Sequence, residues 1–194
     1  GKPVFGVAPG AAFGPAKRWP VERFASVLKG LTDEYGGAAL VFGGPDDKEA
    51  CAGVKAALPS AIDLSGKMAL RESIALVALV SVFITNDSGP MHLAAAIGVP
   101  TVGVFGSTED SLTGPVGPKA AVVREKIECS PCFKRECPFG HYDCLKRVEA
   151  KSPKMSDQAS PAKTGSIVMG KAPSMAAPEV RSIGRRRTAQ LSTM

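Results

Sequence analysis

The sequence predicts an α/β domain built on a doubly wound parallel sheet, and three observations carry that prediction. Several short apolar runs, such as Val82-Phe83-Ile84 and Thr101-Val102-Gly103-Val104-Phe105, lack polar alternation and so read as strands buried on both faces. Each run ends in a polar turn rich in Gly, Pro, Asp or Ser, and a stretch with apolar residues at helical spacing follows. Most of the turns are short, and strands alternating with helices in this way imply a parallel sheet with right-handed crossovers.

Taken in order, residues 3–8 read as a first strand running into Pro9-Gly10-Ala11-Ala12-Phe13-Gly14-Pro15-Ala16-Lys17-Arg18-Trp19-Pro20, a loop too rich in Gly and Pro to be regular. Pro20 suits the first position of a helix in which Val21, Phe24, Val27 or Leu28, Leu31 and Tyr35 share a face until Gly36-Gly37 stops it. Residues 38–42 form a second strand ending at Gly43-Gly44-Pro45-Asp46-Asp47, and a helix is expected from Asp46 or Asp47 to about Leu58. A short third strand at 61–64 precedes a helix marked by Leu70, Ile74 and Val77. The fourth unit organises the rest: the strand at 82–86, the opening Asp87-Ser88-Gly89-Pro90, an alanine-rich helix closed by Gly98, and the strand at 101–105. Residues 120–124 read as the last strand.

The 194 residues suffice for one domain with a real core, and 44% hydrophobic residues with a mean hydropathy of +0.06 fit a packed globule. No apolar run approaches the twenty or so residues of a membrane span, and the start at Gly1-Lys2-Pro3-Val4 shows no signal-peptide pattern and reads as a cut at a domain boundary. The formal net charge is +6. Residues 1–149 are balanced, with sixteen basic and sixteen acidic side chains, so the excess sits in the tail and nucleic acid is not an expected partner. The tail, rich in Ser, Pro, Ala and basic residues without aromatics, is expected to be disordered, giving a domain at 1–148 and a tail at 149–194.

Polar loops around Lys17, Asp46, Asp87-Ser88-Gly89 and Gly106-Ser107-Thr108 all fall at the carboxyl ends of strands, where such sheets take ligands. The first turn of the helix opening at Ser88-Gly89-Pro90 offers unpaired amides and a positive dipole end to an anion, although the same residues serve ordinary helix capping. The Gly-x-Gly-x-x-Gly and P-loop spacings are absent, which disfavours a dehydrogenase or a P-loop NTPase.

Four motifs together carry a resemblance: the Pro9-Gly10 to Trp19-Pro20 loop, Asn86-Asp87-Ser88-Gly89-Pro90-Met91-His92, Thr113-Gly114-Pro115-Val116-Gly117-Pro118, and the cysteine-rich segment from Cys129 to His141. In this order they resemble the C-terminal half of the ADP-heptose:lipopolysaccharide heptosyltransferases, glycosyltransferase family 9, of the heptosyltransferase II type. The similarity covers about residues 3–148, and the tail departs from the family's usual C-terminal helices. The resemblance implies a Rossmann-like domain, the C-terminal domain of a GT-B glycosyltransferase, that binds ADP-heptose as donor. It also implies inverting transfer to the first heptose of the lipopolysaccharide inner core, at the cytoplasmic face of the inner membrane with peripheral association. The acceptor domain and its general base would then precede Gly1, and the chain alone would be inactive. The alternatives are a stand-alone nucleotide-binding or interaction module and a GT-B enzyme with another sugar nucleotide.

The chemistry implied needs cations and N–H donors around the leaving diphosphate, not a resident cofactor. Lys17 is expected to supply the cation, with nearby Arg18 as the fallback, and the Ser88 and Gly89 amides the helix-terminus cradle. Asp87 either caps the helix or holds sugar hydroxyls; His92 is structural or donates to the diphosphate; Met91 belongs with the binding motif. Asp46 or Asp47 accepts from ribose hydroxyls or merely charges a helix start, Thr108 reaches sugar or phosphate or only shapes its turn, and Trp19 packs. Cys129, Cys132, Cys137 and Cys144 form a C-x2-C-x4-C-x6-C cluster enclosing His141, for which reduced structural thiols are expected ahead of a bound zinc.

Overall fold

The computed structural model describes residues 1–150 and the short strand Ser166–Ile167. β1 (Val4–Ala8), β2 (Ala38–Val41), β3 (Ile62–Asp63), β4 (Val82–Asn86), β5 (Thr101–Phe105) and β6 (Ala120–Arg124) form one sheet in the order β3-β2-β1-β4-β5-β6, with every pairing parallel. The order reverses between β1 and β4, where Val7 pairs with Ile84 and Ala8 with Thr85. Loops leaving these two strands diverge, opening a crevice at their carboxyl ends.

Strand alternation sends side chains into two cores. Phe5, Val7, Val41, Ile84 and Val104 pack with α1 (Val21–Tyr35) and α2 (Lys48–Ala57) on one face. Ala8, Leu40, Phe42 and Phe83 pack on the other with Val77 of α3 (Leu70–Val77) and Ala94 of α4 (Gly89–Ala96). The doubly wound arrangement is thus present in both its layers.

The boundaries follow local chemistry. Pro20 stands one residue before α1, as its cap, and Gly36 ends that helix with φ +69°, a left-handed conformation that favours glycine. Pro45–Asp47 forms a separate 3-10 turn, so α2 begins at Lys48, after the two aspartates. Past β5 come α5 (Asp110–Thr113), then β6, a long irregular segment, α6 (Asp143–Lys146) and β7 (Glu149–Ala150), which pairs in parallel with β8 (Ser166–Ile167). The tail expectation lies, apart from these strands, outside the described residues. No helix among the described residues is long and apolar enough to cross a membrane.

Candidate functional site

The two loops of the crevice are tied together by Asn86, the last residue of β4. Its side-chain oxygen accepts the Trp19 backbone N–H at 2.9 Å, and its amide nitrogen donates to the Pro9 and Gly10 carbonyls at 2.7 and 3.3 Å. Trp19 is buried, edge-on to Phe24, and donates its indole N–H to the Val148 carbonyl at 3.0 Å, so it is a packing residue. This anchoring fixes the short 3-10 turn Pro15–Lys17 at the mouth of the crevice.

There Lys17 Nζ donates to Asp87 Oδ2 at 2.5 Å, with side chains 11% and 4% exposed. The same oxygen accepts the Thr108 hydroxyl at 2.6 Å and the Thr113 hydroxyl at 3.3 Å, and the ammonium lies 4.8 Å from the centroid of the Phe13 ring. Asp87 is therefore the counterion of Lys17. It does not cap α4: Ser88 holds the N-cap position with no side-chain cap bond, and its hydroxyl bonds Thr85 and the Asn86 carbonyl instead. An ammonium has three donors, so one Asp87 bond and a ring face leave Lys17 able to take a second anion.

The other expected residues divide. Gly89 is exposed at the start of α4, and His92 is exposed one turn further on. Met91 is fully buried and packs its thioether against Gly103, where a Cβ would stand 2.5 Å from the sulfur. Its side chain belongs to the core, a correction to its grouping with the binding residues. Thr108 is buried as a ligand of Asp87. Asp46 is exposed, whereas Asp47 accepts the Gly44 N–H at 2.9 Å and so shapes its own turn.

Sequence reasoning missed Thr113 and Arg124. Arg124 ends β6 opposite Phe105 and bridges Glu109 at 2.6 Å and Asp110, which fixes the start of α5 and so the Thr108 to Thr113 arc. Burial alone would raise the Asp110 carboxyl, but the Arg124 guanidinium, its own backbone amide and Glu109 bring it below the ordinary value. The readable signal was a basic residue ending one strand beside an acidic pair after its neighbour. An open cleft of about 560 Å3 lined by Phe13, Gly14, Pro15, Lys134, Arg135 and Glu136 adjoins the ammonium across the Phe13 ring.

The five cysteines are free thiols. Cys51 is buried under α2, and burial, with Asp63 and Asp47 nearby, pushes it up to about 12, leaving it inert. The other four gather after β6. Burial pushes Cys144 up to about 11, while the backbone amides of Tyr142, Phe139, Gly140 and His141 outweigh burial at Cys137 and hold it below the ordinary value.

Fold and site define a Rossmann-like α/β domain whose charged residues gather at the point where the strand order reverses. Residues 1–143 match the model of glycosyltransferase family 9 (heptosyltransferase), and the chain belongs to that family. It is similar to lipooligosaccharide heptosyltransferase 2 of Campylobacter jejuni subsp. jejuni serotype O:2, 36% identical over 165 residues, 82% of this chain and 50% of that protein. Lipopolysaccharide heptosyltransferase 2 of Escherichia coli (strain K12) is 40% identical over 149 residues, 74% and 42% of the two chains. The solved structure of E. coli ADP-heptose lps heptosyltransferase II matches with a TM-score of 0.62 at 39% identity, over 64% of this chain and 39% of that one. The chain spans about half the length of these curated relatives or less.

Proposed function

We propose that this chain is the donor-binding half of a heptosyltransferase that moves heptose from ADP-L-glycero-D-manno-heptose to the first heptose of the lipopolysaccharide inner core, with inversion. The observation that supports it most is the Lys17–Asp87 pair beside the α4 N-terminus, in a chain of this family. When the anomeric bond breaks, negative charge grows on the departing diphosphate of ADP. The Lys17 ammonium and the first-turn amides of α4 meet that charge without reorganising, since Asp87 already holds the lysine and Thr108 and Thr113 hold Asp87. Asp87 tempers the cation, so the lysine is oriented before the anion arrives. Gly89 leaves the approach open, because a Cβ there would meet nothing within 4 Å.

In this reading the acceptor-binding domain and its general base are supplied by residues outside these 194, within a GT-B enzyme working at the cytoplasmic face of the inner membrane. Residues 1–148 form the sugar-nucleotide domain and 149–194 an appended basic tail.

Calorimetric titration with ADP tests the reading. ADP should bind in preference to UDP or GDP, and Lys17→Ala should weaken it at least about tenfold, since a hydrogen bond to a charged group is worth about 1.5–3 kcal/mol. Equal affinities for ADP in the two proteins would remove Lys17 from the phosphate site.

A further inference from the structure

We propose that Cys129, Cys132, Cys137 and Cys144 bind one thiophilic divalent cation, Zn2+ or Fe2+, in a tetrahedral four-thiolate site that fastens the irregular segment after β6 to the loops carrying Lys17 and Ser107. The four thiols, fifteen residues apart in sequence from first to last, line one small cavity together with His141, Ser107 and Ala16. Its volume is about 10 Å3, enough for a single water-sized body. The Ser107 hydroxyl in its wall is 1% exposed and has no hydrogen-bond partner. A neutral thiol is a poor acceptor; a metal-bound thiolate is a good one, and would satisfy that hydroxyl.

The histidine separates the ligands from their support. Nδ1 of His141 accepts the Asp143 backbone N–H at 2.9 Å, so the hydrogen of the neutral ring sits on Nε2, which faces Cys129 Sγ at 3.9 Å. That nitrogen donates toward the sulfur and is not free to ligate. His141 is thus an outer partner that stabilises the Cys129 thiolate, in the way that donors around metal sites tune their ligands. Four sulfurs around one point suit zinc or iron.

The segment needs such a fastening. Residues 125–142 contain no helix or strand, Phe133 and Phe139 are 52% and 68% exposed, and the segment is tied to the domain by the packing of Ile127, by Arg135 donating to the Phe13 and Ala12 carbonyls at 2.6 and 3.3 Å, and by three further hydrogen bonds. Ser130 Oγ donates to the Gly106 carbonyl at 2.6 Å, Phe133 N to the Ser107 carbonyl at 2.7 Å and Ala16 N to the Arg135 carbonyl at 3.0 Å. Those three bonds land on the residues beside Lys17 and Thr108. Among the described residues no group of three or more His, Cys, Asp or Glu stands in ligating geometry as placed. Binding would draw the sulfurs inward to about 2.3 Å from the ion. Each ligating thiol gives its proton to solvent, so one M2+ and four thiols yield a site of charge 2− and four protons.

The experiment uses the full 194-residue chain, without a histidine tag, purified without added metal and then reconstituted anaerobically with Zn2+ or Fe2+. Elemental analysis should find about one ion per chain. A thiol reagent should then find Cys129, Cys132 and Cys137 silent until a strong chelator is added, and cobalt substitution should give the intense visible bands of tetrahedral thiolate coordination. Cys51→Ser should retain the ion, and Cys137→Ser should lose it. Should Cys137→Ser fail to fold, stoichiometry and thiol protection in the wild type decide alone. Less than a tenth of an ion per chain after reconstitution, with Cys129, Cys132 and Cys137 reacting freely, overturns the proposal. Neither readout depends on nucleotide binding.

Discussion

At the scale of single residues, Lys17 and Asp87 act as a unit, and the unit has two separable properties. Removing the lysine alone leaves a 4% exposed carboxylate with only two hydroxyl donors, Thr108 and Thr113. Loss of one partner from such a buried pair costs about 3 kcal/mol. Replacing both with neutral near-isosteres, Lys17→Met with Asp87→Asn, removes the uncompensated charge and should return most of that stability in urea unfolding. It should not return ADP affinity, because the cation is gone. Recovery of both together would show that the lysine acts on nucleotide only through folding. The pair was invisible in the sequence for a plain reason. Its members stand seventy positions apart, and only the strand order that sets β1 beside β4 brings them together. Lys17 and Asp87 each stood out as polar residues at a strand end; that one would neutralise the other did not.

At the scale of elements, the legible parts were those whose signal is local. β1, β4, β5 and β6 are apolar runs, and α1 carries its own period and its own glycine stop, so the expected boundaries fall within about two residues of the observed ones. The order of strands was not legible, since right-handed crossovers permit several sheets. Neither was the brace between β6 and α5, where Arg124 meets Glu109 and Asp110 across a turn of irregular chain. That brace should have a pH signature. Asp110 is held below its ordinary value of 3.8, so the stability it contributes is complete above that value and is lost as pH falls through the lower folded one. The advantage of wild type over Arg124→Met in urea should therefore be constant near neutrality and shrink below about pH 4. A difference that stays level down to about pH 3 would show that the guanidinium does not hold the carboxyl.

At the scale of the whole molecule, the chain closes on itself far from where a sequence reading ends. After the cysteine-rich segment, α6 and the residues behind it return to α1, where Leu145 is 1% exposed and Val148 fully buried in the same core as Phe24 and Leu28. The Val148 carbonyl takes the Trp19 indole N–H, and Trp19 in turn hangs its backbone N–H on Asn86. The closing residues thus brace the loop that presents Lys17, although they lie more than a hundred positions away. Ending the chain after Tyr142 would expose the contacts of Leu145 and Val148, about 1.5–3 kcal/mol for each side chain. It would also orphan the indole donor, at about 1–3 kcal/mol. The total is of the order of a domain's entire stability, about 5–15 kcal/mol. Trp19 is the sole tryptophan, so its emission reports on this point directly. The shortened chain should show red-shifted emission already without denaturant and no cooperative urea transition, while the full chain keeps a blue-shifted signal until it unfolds. An unchanged spectrum with the same urea midpoint would mean that the loop bearing Lys17 is held by Asn86 alone, and that the closing residues merely cover it.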